Sequence, residues 1–157
     1  MPENEGILWN GKPSQIINFN IYLLSGIVAL LIIVLSVYLW GWIFWLIVIP
    51  CGYALYKWLI INAYNYELTS ERFRVTTGIF TKKFEEIELY RIRDYSIVQP
   101  FFLRLFSLGN VILKTSDKTM PDLTISAIKD FINVKDKIRE RVEILRKEKD
   151  IKEIDYT

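Results

Sequence analysis

FNIYLLSGIVALLIIVLSVYLW (Phe19–Trp40), followed directly by GWIFWLIVIPCGYALYKWLII (Gly41–Ile61), decides how the rest of this 157-residue chain is read. No charged residue lies between Lys12 and Lys57. A helix needs about 20 apolar residues to cross a hydrocarbon core of about 30 Å, and two such runs fit here back to back. Lipid supplies no partner for backbone N–H and C=O groups, a demand that a pair of helices meets internally. The sequence therefore predicts a two-helix transmembrane hairpin at residues 16–61, with ordinary soluble-type sequence beyond it.

Gly41 alone separates the two runs, so the helices are expected to be antiparallel neighbours, with Ser25, Gly26, Ala29 and Ser36 letting them approach closely. Pro50 removes a backbone hydrogen bond and, with Gly52 two residues on, predicts a bend in the second helix. Trp40, Trp42 and Trp45 form an aromatic belt at the tip, and Trp58 with nearby tyrosines forms one at the base. The tip carries no Lys or Arg, while Lys12, Lys57, Arg72 and Arg74 lie on the other side. The positive-inside rule then places both termini of a two-pass protein in the cytoplasm. A transport path through this hairpin would need inward-facing polar groups beyond two serines and the tyrosines, and the run has none.

Outside the hairpin, residues 1–15 form a short segment in which Asn10-Gly11 and Pro13 discourage regular structure, and Trp9 is expected at the headgroup level. The acidic start at Glu3 and Glu5 argues against a cleaved signal peptide. After the hairpin roughly 95 residues remain, enough for one small domain with its own core. All but Lys12 of the 20 Lys and Arg, and all but Glu3 and Glu5 of the 18 Asp and Glu, lie from Lys57 onward. That balance is too nearly neutral and too interspersed for a nucleic-acid surface. There is no histidine, and Cys51 is the one cysteine. Zinc sites of Cys and His, Ser–His and Cys–His nucleophilic pairs and an intramolecular disulfide are thereby excluded. Phosphate loops and nucleophile elbows are also missing, so the reading is non-enzymatic, with no cofactor, no metal and no catalytic residue.

From Tyr64 the hydrophobic period changes from helical to alternating. In RFRVTT (Arg72–Thr77), Phe73, Val75 and Thr77 share one face and Arg72, Arg74 and Thr76 the other, which marks a half-buried strand. Glu85 to Leu89 alternates similarly but slips by one residue relative to Phe84, which predicts a bulge. PFFLRLFSLG reads as a short helix punctuated by Pro100 and Gly109, and NVILKTS and DLTISAI read as strands joined near Asp117-Lys118. Asn133 is expected to cap a final helix whose stripe Val134, Ile138, Val142 and Leu145 plugs the open end of a small bent sheet or split barrel.

These residues carry a resemblance. Tyr66-Glu67-Leu68-Thr69, Arg72, Gly78, Ile87, Arg91-Ile92, Val98-Gln99-Pro100, Arg104-Leu105-Phe106-Ser107-Leu108-Gly109, Val111 and Thr115, behind a two-helix hairpin, resemble the bacterial pleckstrin-homology-like (PH-like) membrane protein family of the YdbS-like type. Relatives often have glycine where this chain has Ser107. The resemblance implies an α+β membrane protein: a transmembrane hairpin, then a PH-like split β-barrel or bent antiparallel sheet at 62–148 with a C-terminal capping helix, and a charged tail at 149–157. It implies architecture more than activity.

Two groups of residues are candidates for contact. Arg72, Arg74, Lys82, Lys83, Arg91 and Arg93 form three basic pairs that would meet anionic headgroups or a partner if they face the bilayer. Against this, Glu85, Glu86, Glu88 and Asp94 are so closely interleaved that a merely solvated, ion-paired face is favoured. Phe101 and Phe102, with Leu105, Phe106 and Leu108, are read first as core and otherwise as interfacial anchors alongside Trp40, Trp42, Trp45 and Trp58. The expected role is a membrane-anchored binding or assembly module. Its partners are membrane lipid and another membrane protein or further copies of itself, with headgroup sensing or an accessory role in a larger complex as alternatives.

Overall fold

The computed structural model describes residues 6–39, 41–118 and 120–149. The first apolar run is helix α1 (Phe19–Tyr38), entered through a 3-10 turn at Gln15–Asn18 in which the Ile16 amide donates to the Ser14 hydroxyl. The second opens as a 3-10 segment, Gly41–Ile47, and continues as α2 (Val48–Asn62). Both are long and apolar enough to cross a membrane: Gln15–Tyr38 has mean hydropathy 2.6 and Gly41–Asn62 has 1.7. At about 1.5 Å per α-helical and 2.0 Å per 3-10 residue they span roughly 38 and 36 Å.

The expected bend site, Pro50 and Gly52, falls just after the change from 3-10 to α-helix between Ile47 and Val48. Gly26 departs from expectation, since a Cβ added there would meet nothing within 4 Å; it faces outward rather than into the helix contact. What fastens the hairpin is polar and sits at its base. Asn18 Nδ2 donates to the Lys57 carbonyl (3.1 Å), Gln15 Nε2 to the Trp58 carbonyl (3.2 Å), and the Tyr22 hydroxyl to Gln15 Oε1 (2.6 Å).

Residues 7–11, expected to lack regular structure, form strand β1 (Ile7–Gly11). It pairs antiparallel with β2 (Asn65–Thr69), the first strand after the hairpin. Asn10-Gly11 is therefore not a turn. The Trp9 ring lies over Gly11, where a Cβ would meet it at 2.3 Å, and it packs against the core. The sheet continues through β3 (Arg72–Thr77) and β4 (Lys83–Glu88) in the order β1-β2-β3-β4. The β3–β4 register runs without interruption from Arg72↔Glu88 to Thr77↔Lys83, so the bulge expected near Phe84 is absent. Phe84 instead faces outward, opposite Thr76.

A 3-10 turn at Leu89–Arg91 leads to the second antiparallel sheet. It contains β5 (Ile92–Val98), β6 (Gly109–Thr115) and β7 (Asp122–Ile128), with β6 in the middle. The two sheets enclose one core in which Leu68, Phe73, Leu89, Ile92, Val111, Leu113 and Ile125 are fully buried. Across it the Tyr66 hydroxyl of the first sheet accepts a bond from the Ser126 amide of the second.

The closing helix α4 (Phe131–Glu148) begins two residues before the expected cap, after Asp130 at φ 50°. Its predicted stripe is the one buried: Val134, Ile138, Val142 and Leu145 are all 3% exposed or less. Arg141 Nε donates to the Ser70 carbonyl and Arg146 Nη2 to the Ile92 carbonyl, so the helix is tied to both sheets.

The short helix α3 (Phe101–Leu105) starts after Pro100 as expected, but its stop is not Gly109. Ser107 adopts the left-handed conformation (φ 54°), its amide bonding to the Arg104 carbonyl and that of Leu108 to the Leu103 carbonyl. This is the double bond of a Schellman cap, completed by contact between Leu103 and Leu108. Gly109 instead gives room to the Phe131 ring, which an added Cβ would meet at 2.6 Å.

Candidate functional site

Every strand of the domain runs between two rims, and the hairpin defines which is which. The near rim carries Asn65, Thr77, Lys83, Val98, Gly109 and Ile128 at strand ends, and the Ser14 amide bonds there to the Ala127 carbonyl. The far rim carries the β2–β3 turn, the Leu89–Arg91 corner and the β6–β7 turn, drawn together by Leu89 N–H to the Glu71 carbonyl and Ser116 N–H to that of Arg91. At about 3.3 Å per residue, the five steps from Thr77 to Arg72 put some 17 Å between the rims.

This geometry divides the six basic candidates. Arg72 and Arg74 project from the outer face of β3 and share Glu86, at 2.9 and 3.4 Å. Lys83 pairs with Glu85 on the inward face of β4, beyond the core at its near end. Arg91 on the far rim binds Glu88 (2.9 Å) and Asp117 (3.1 Å). The exposed Arg93 and Lys82 stand at opposite ends of the domain. The six residues do not form one surface. Lys82 and Lys83 occur at the near rim, Arg72, Arg91 and Arg93 at or beside the far one. Exposed pairs of this kind contribute only about 0–1 kcal/mol each.

The far-rim cluster is the more developed polar group, and spacing alone did not point to it. The Tyr90 hydroxyl donates to Glu88 Oε2 (2.5 Å), which holds the Glu88 carboxyl below its usual range, with Arg91 and Lys149 adding to the effect. The same tyrosine, with Glu88 and Asp117, holds Arg91 more firmly protonated than usual. The Lys149 ammonium lies 4.3 Å from the centre of the Tyr90 ring. Such a corner fixes the junction of two sheets and the end of α4. Among the described residues no group of three Cys, Asp or Glu is arranged to hold a metal ion.

The apolar candidates behave differently from the first expectation. Phe101, Phe102, Leu105 and Phe106 are exposed, Phe101 by 76%, whereas Leu103 and Leu108 supply the buried contact. The core reading fails for those four because five residues of helix can bury only one side. Trp42, Trp45 and Trp58 are exposed on the hairpin; Trp40 lies outside the described residues.

Two open clefts flank the hairpin base. One of about 280 Å³ lies between the start of α1 (Ile16, Ile17, Phe19) and α3 (Phe102, Leu103). The other, of about 700 Å³, lies between the end of α2 (Leu59, Asn62) and the β3–β4 turn (Gly78, Ile79, Lys82).

Compared with known proteins, residues 18–142 match the family model described as Bacterial PH domain. This chain belongs to the bacterial PH domain family. The match begins at the base of the hairpin and ends within α4, so it takes in the two apolar helices and strands β2 to β7, with β1 before it. No curated protein and no solved structure matches the chain.

Proposed function

We propose that this bacterial PH domain is a membrane-anchored, non-enzymatic binding module that joins another membrane protein or further copies of itself at the cytoplasmic face of the inner membrane. The observation that carries the binding half is the edge at β5. This seven-residue strand has a neighbour, β6, on one side only. An edge strand presents unused backbone donors and acceptors along its free side. Of the other edges β1, β4 and β7, β4 is guarded by Lys83, Glu85, Glu86 and Glu88, and on β7 the Ser126 and Ala127 amides are taken by the Tyr66 hydroxyl and Asn110 Oδ1, while Ser96, Ile97 and Val98 leave the near half of β5 without charge. Addition of a partner strand there is the mode this geometry favours. The anchoring half is supported by the apolar hairpin and by the pairing of β1 with β2, which ties both flanks of the hairpin into one sheet.

The test is a photo-crosslinking residue at Val98 in the full chain expressed in its native membrane. A discrete adduct, with a partner chain or a second copy, is expected at Val98 and not at Phe84 on the guarded edge. An equal absence at both positions overturns the reading, as does release of the chain from membranes by alkaline carbonate. Headgroup sensing, the alternative, finds support in Lys82 alone, because Lys83 is paired with Glu85 and the remaining basic candidates are ion-paired or far from the hairpin.

A further inference from the structure

We infer that the β3–β4 turn and α3 are a pair of apolar feet that enter the headgroup–acyl boundary on opposite sides of the hairpin, so that the domain is pinned to the bilayer at three points; this rests on the membrane reading above. Past residue 63 the exposed large apolar side chains are few among the described residues, and most belong to these two elements: Phe80 and Phe84 on one, Phe101, Phe102, Leu105 and Phe106 on the other. Phe80 is the most exposed of all at 95%, more so than any apolar side chain of the hairpin.

Their position supplies the occupant. The turn shares a cleft with the end of α2, and α3 shares one with the start of α1, so both elements continue the apolar surface of the hairpin at its base. Gly78 makes the turn tight enough to present Phe80. It sits at φ 99°, and a Cβ there would meet the Thr81 carbonyl oxygen at 2.0 Å. Each foot carries a basic side chain beside its aromatic rings, Lys82 next to Phe80, where Lys83 is paired with Glu85 across Phe84, and Arg104 between Phe102 and Leu105. Long basic side chains that reach toward phosphates while their neighbours enter the apolar boundary are the pattern of an interfacial element. A protein partner would not require both feet to lie at the depth of the hairpin base. A bilayer does.

The experiment uses the full chain reconstituted in phosphatidylethanolamine–phosphatidylglycerol vesicles, with an environment-sensitive fluorophore on a single cysteine. The native Cys51 is exposed on α2, about 16 Å along the helix from Asn62, and reports on the hairpin. In a Cys51→Ala background, Phe80→Cys and Leu105→Cys report on the feet and Lys118→Cys, exposed in the β6–β7 turn at the far rim, is the aqueous control. Blue-shifted emission at positions 80 and 105, quenched by shallow spin-labelled lipid, is expected, with water-like emission at 118. Water-like emission at 80 and 105 with a quenched Cys51 overturns the inference and leaves the membrane anchor standing. An unquenched Cys51 overturns both. Shielding at 80 that disappears on dilution of protein in lipid assigns the foot to a second copy and overturns the inference too.

Discussion

Exchanging the conformational roles of Ser107 and Gly109 gives the sharpest test of how α3 is joined to β6. Ser107 occupies the left-handed position of a Schellman cap. A residue with a Cβ gives up roughly 1–2 kcal/mol there, whereas glycine does not. Glycine in turn loses about 0.5–1 kcal/mol more backbone freedom on folding. Ser107→Gly should therefore stabilise the domain by about 0.5–1 kcal/mol. Two residues on, the same class of change has the opposite sign. Gly109 is not in the left-handed region, but its missing Cβ leaves room for the Phe131 ring at 2.6 Å. Gly109→Ala must displace that ring from the core edge, an overpacking that costs about 1–3 kcal/mol. For a domain of this size 1 kcal/mol moves Tm by about 4–8 °C. Thermal unfolding of the detergent-solubilised full chain, followed by intrinsic fluorescence, should show Ser107→Gly raised by about 2–8 °C and Gly109→Ala lowered by at least 4 °C. A lowered Tm for Ser107→Gly would refute the cap assignment. An unchanged Tm for Gly109→Ala would refute the Phe131 contact.

Ile138→Ala, at a fully buried position of α4, should cost about 2–5 kcal/mol, while Ile132→Ala on the exposed side of the same helix should cost under about 0.5, both read by urea titration. Burial raises the Tyr66 hydroxyl above its ordinary value of about 10, so the unfolded chain loses that proton first. Stability should accordingly fall as pH rises past about 10, and Tyr66→Phe should flatten the loss; an alkaline profile identical in both proteins contradicts it. Asn18→Ala removes the bond to the Lys57 carbonyl and should weaken the hairpin base by about 0.5–1.5 kcal/mol, seen as earlier detergent unfolding of the helices by circular dichroism.

The parts legible in the sequence are those governed by periodicity. The apolar runs, the alternation in Arg72–Thr77 and the Val134–Leu145 stripe all bury or expose the faces they advertise, because burial is what their periods encode. The parts that were not legible depend on contacts distant in sequence. Asn10-Gly11 carries turn chemistry, yet its strand is decided by Tyr66 and Glu67 across the ladder and by Trp9 folding back over the glycine. Pro50 signals an irregularity, but not that the seven residues from Gly41 to Ile47 before it wind as a 3-10 helix. Phe101 and Phe102 look like core because composition says nothing of how little a single helical turn can hide. The basic pairs were visible as residues, whereas their separation onto two rims appears only once strand direction is known.

The pairing of Ile7 with Thr69 has a consequence for the order in which this protein can be made. The first strand leaves the ribosome before the hairpin, and its partner leaves after it. The sheet is therefore a lock that closes only when both apolar helices have been delivered and Asn65–Thr69 has emerged on the same side. Until then Ile7–Gly11 has no ladder to join, and nascent chains arrested at Ala63 should leave it open to protease, whereas chains extended past β4 should protect it. Only a chain in which one of the two helices crossed a bilayer without the other would hold the two halves of that ladder apart. Completion of the domain thus reports that both flanks of the hairpin have reached the same side.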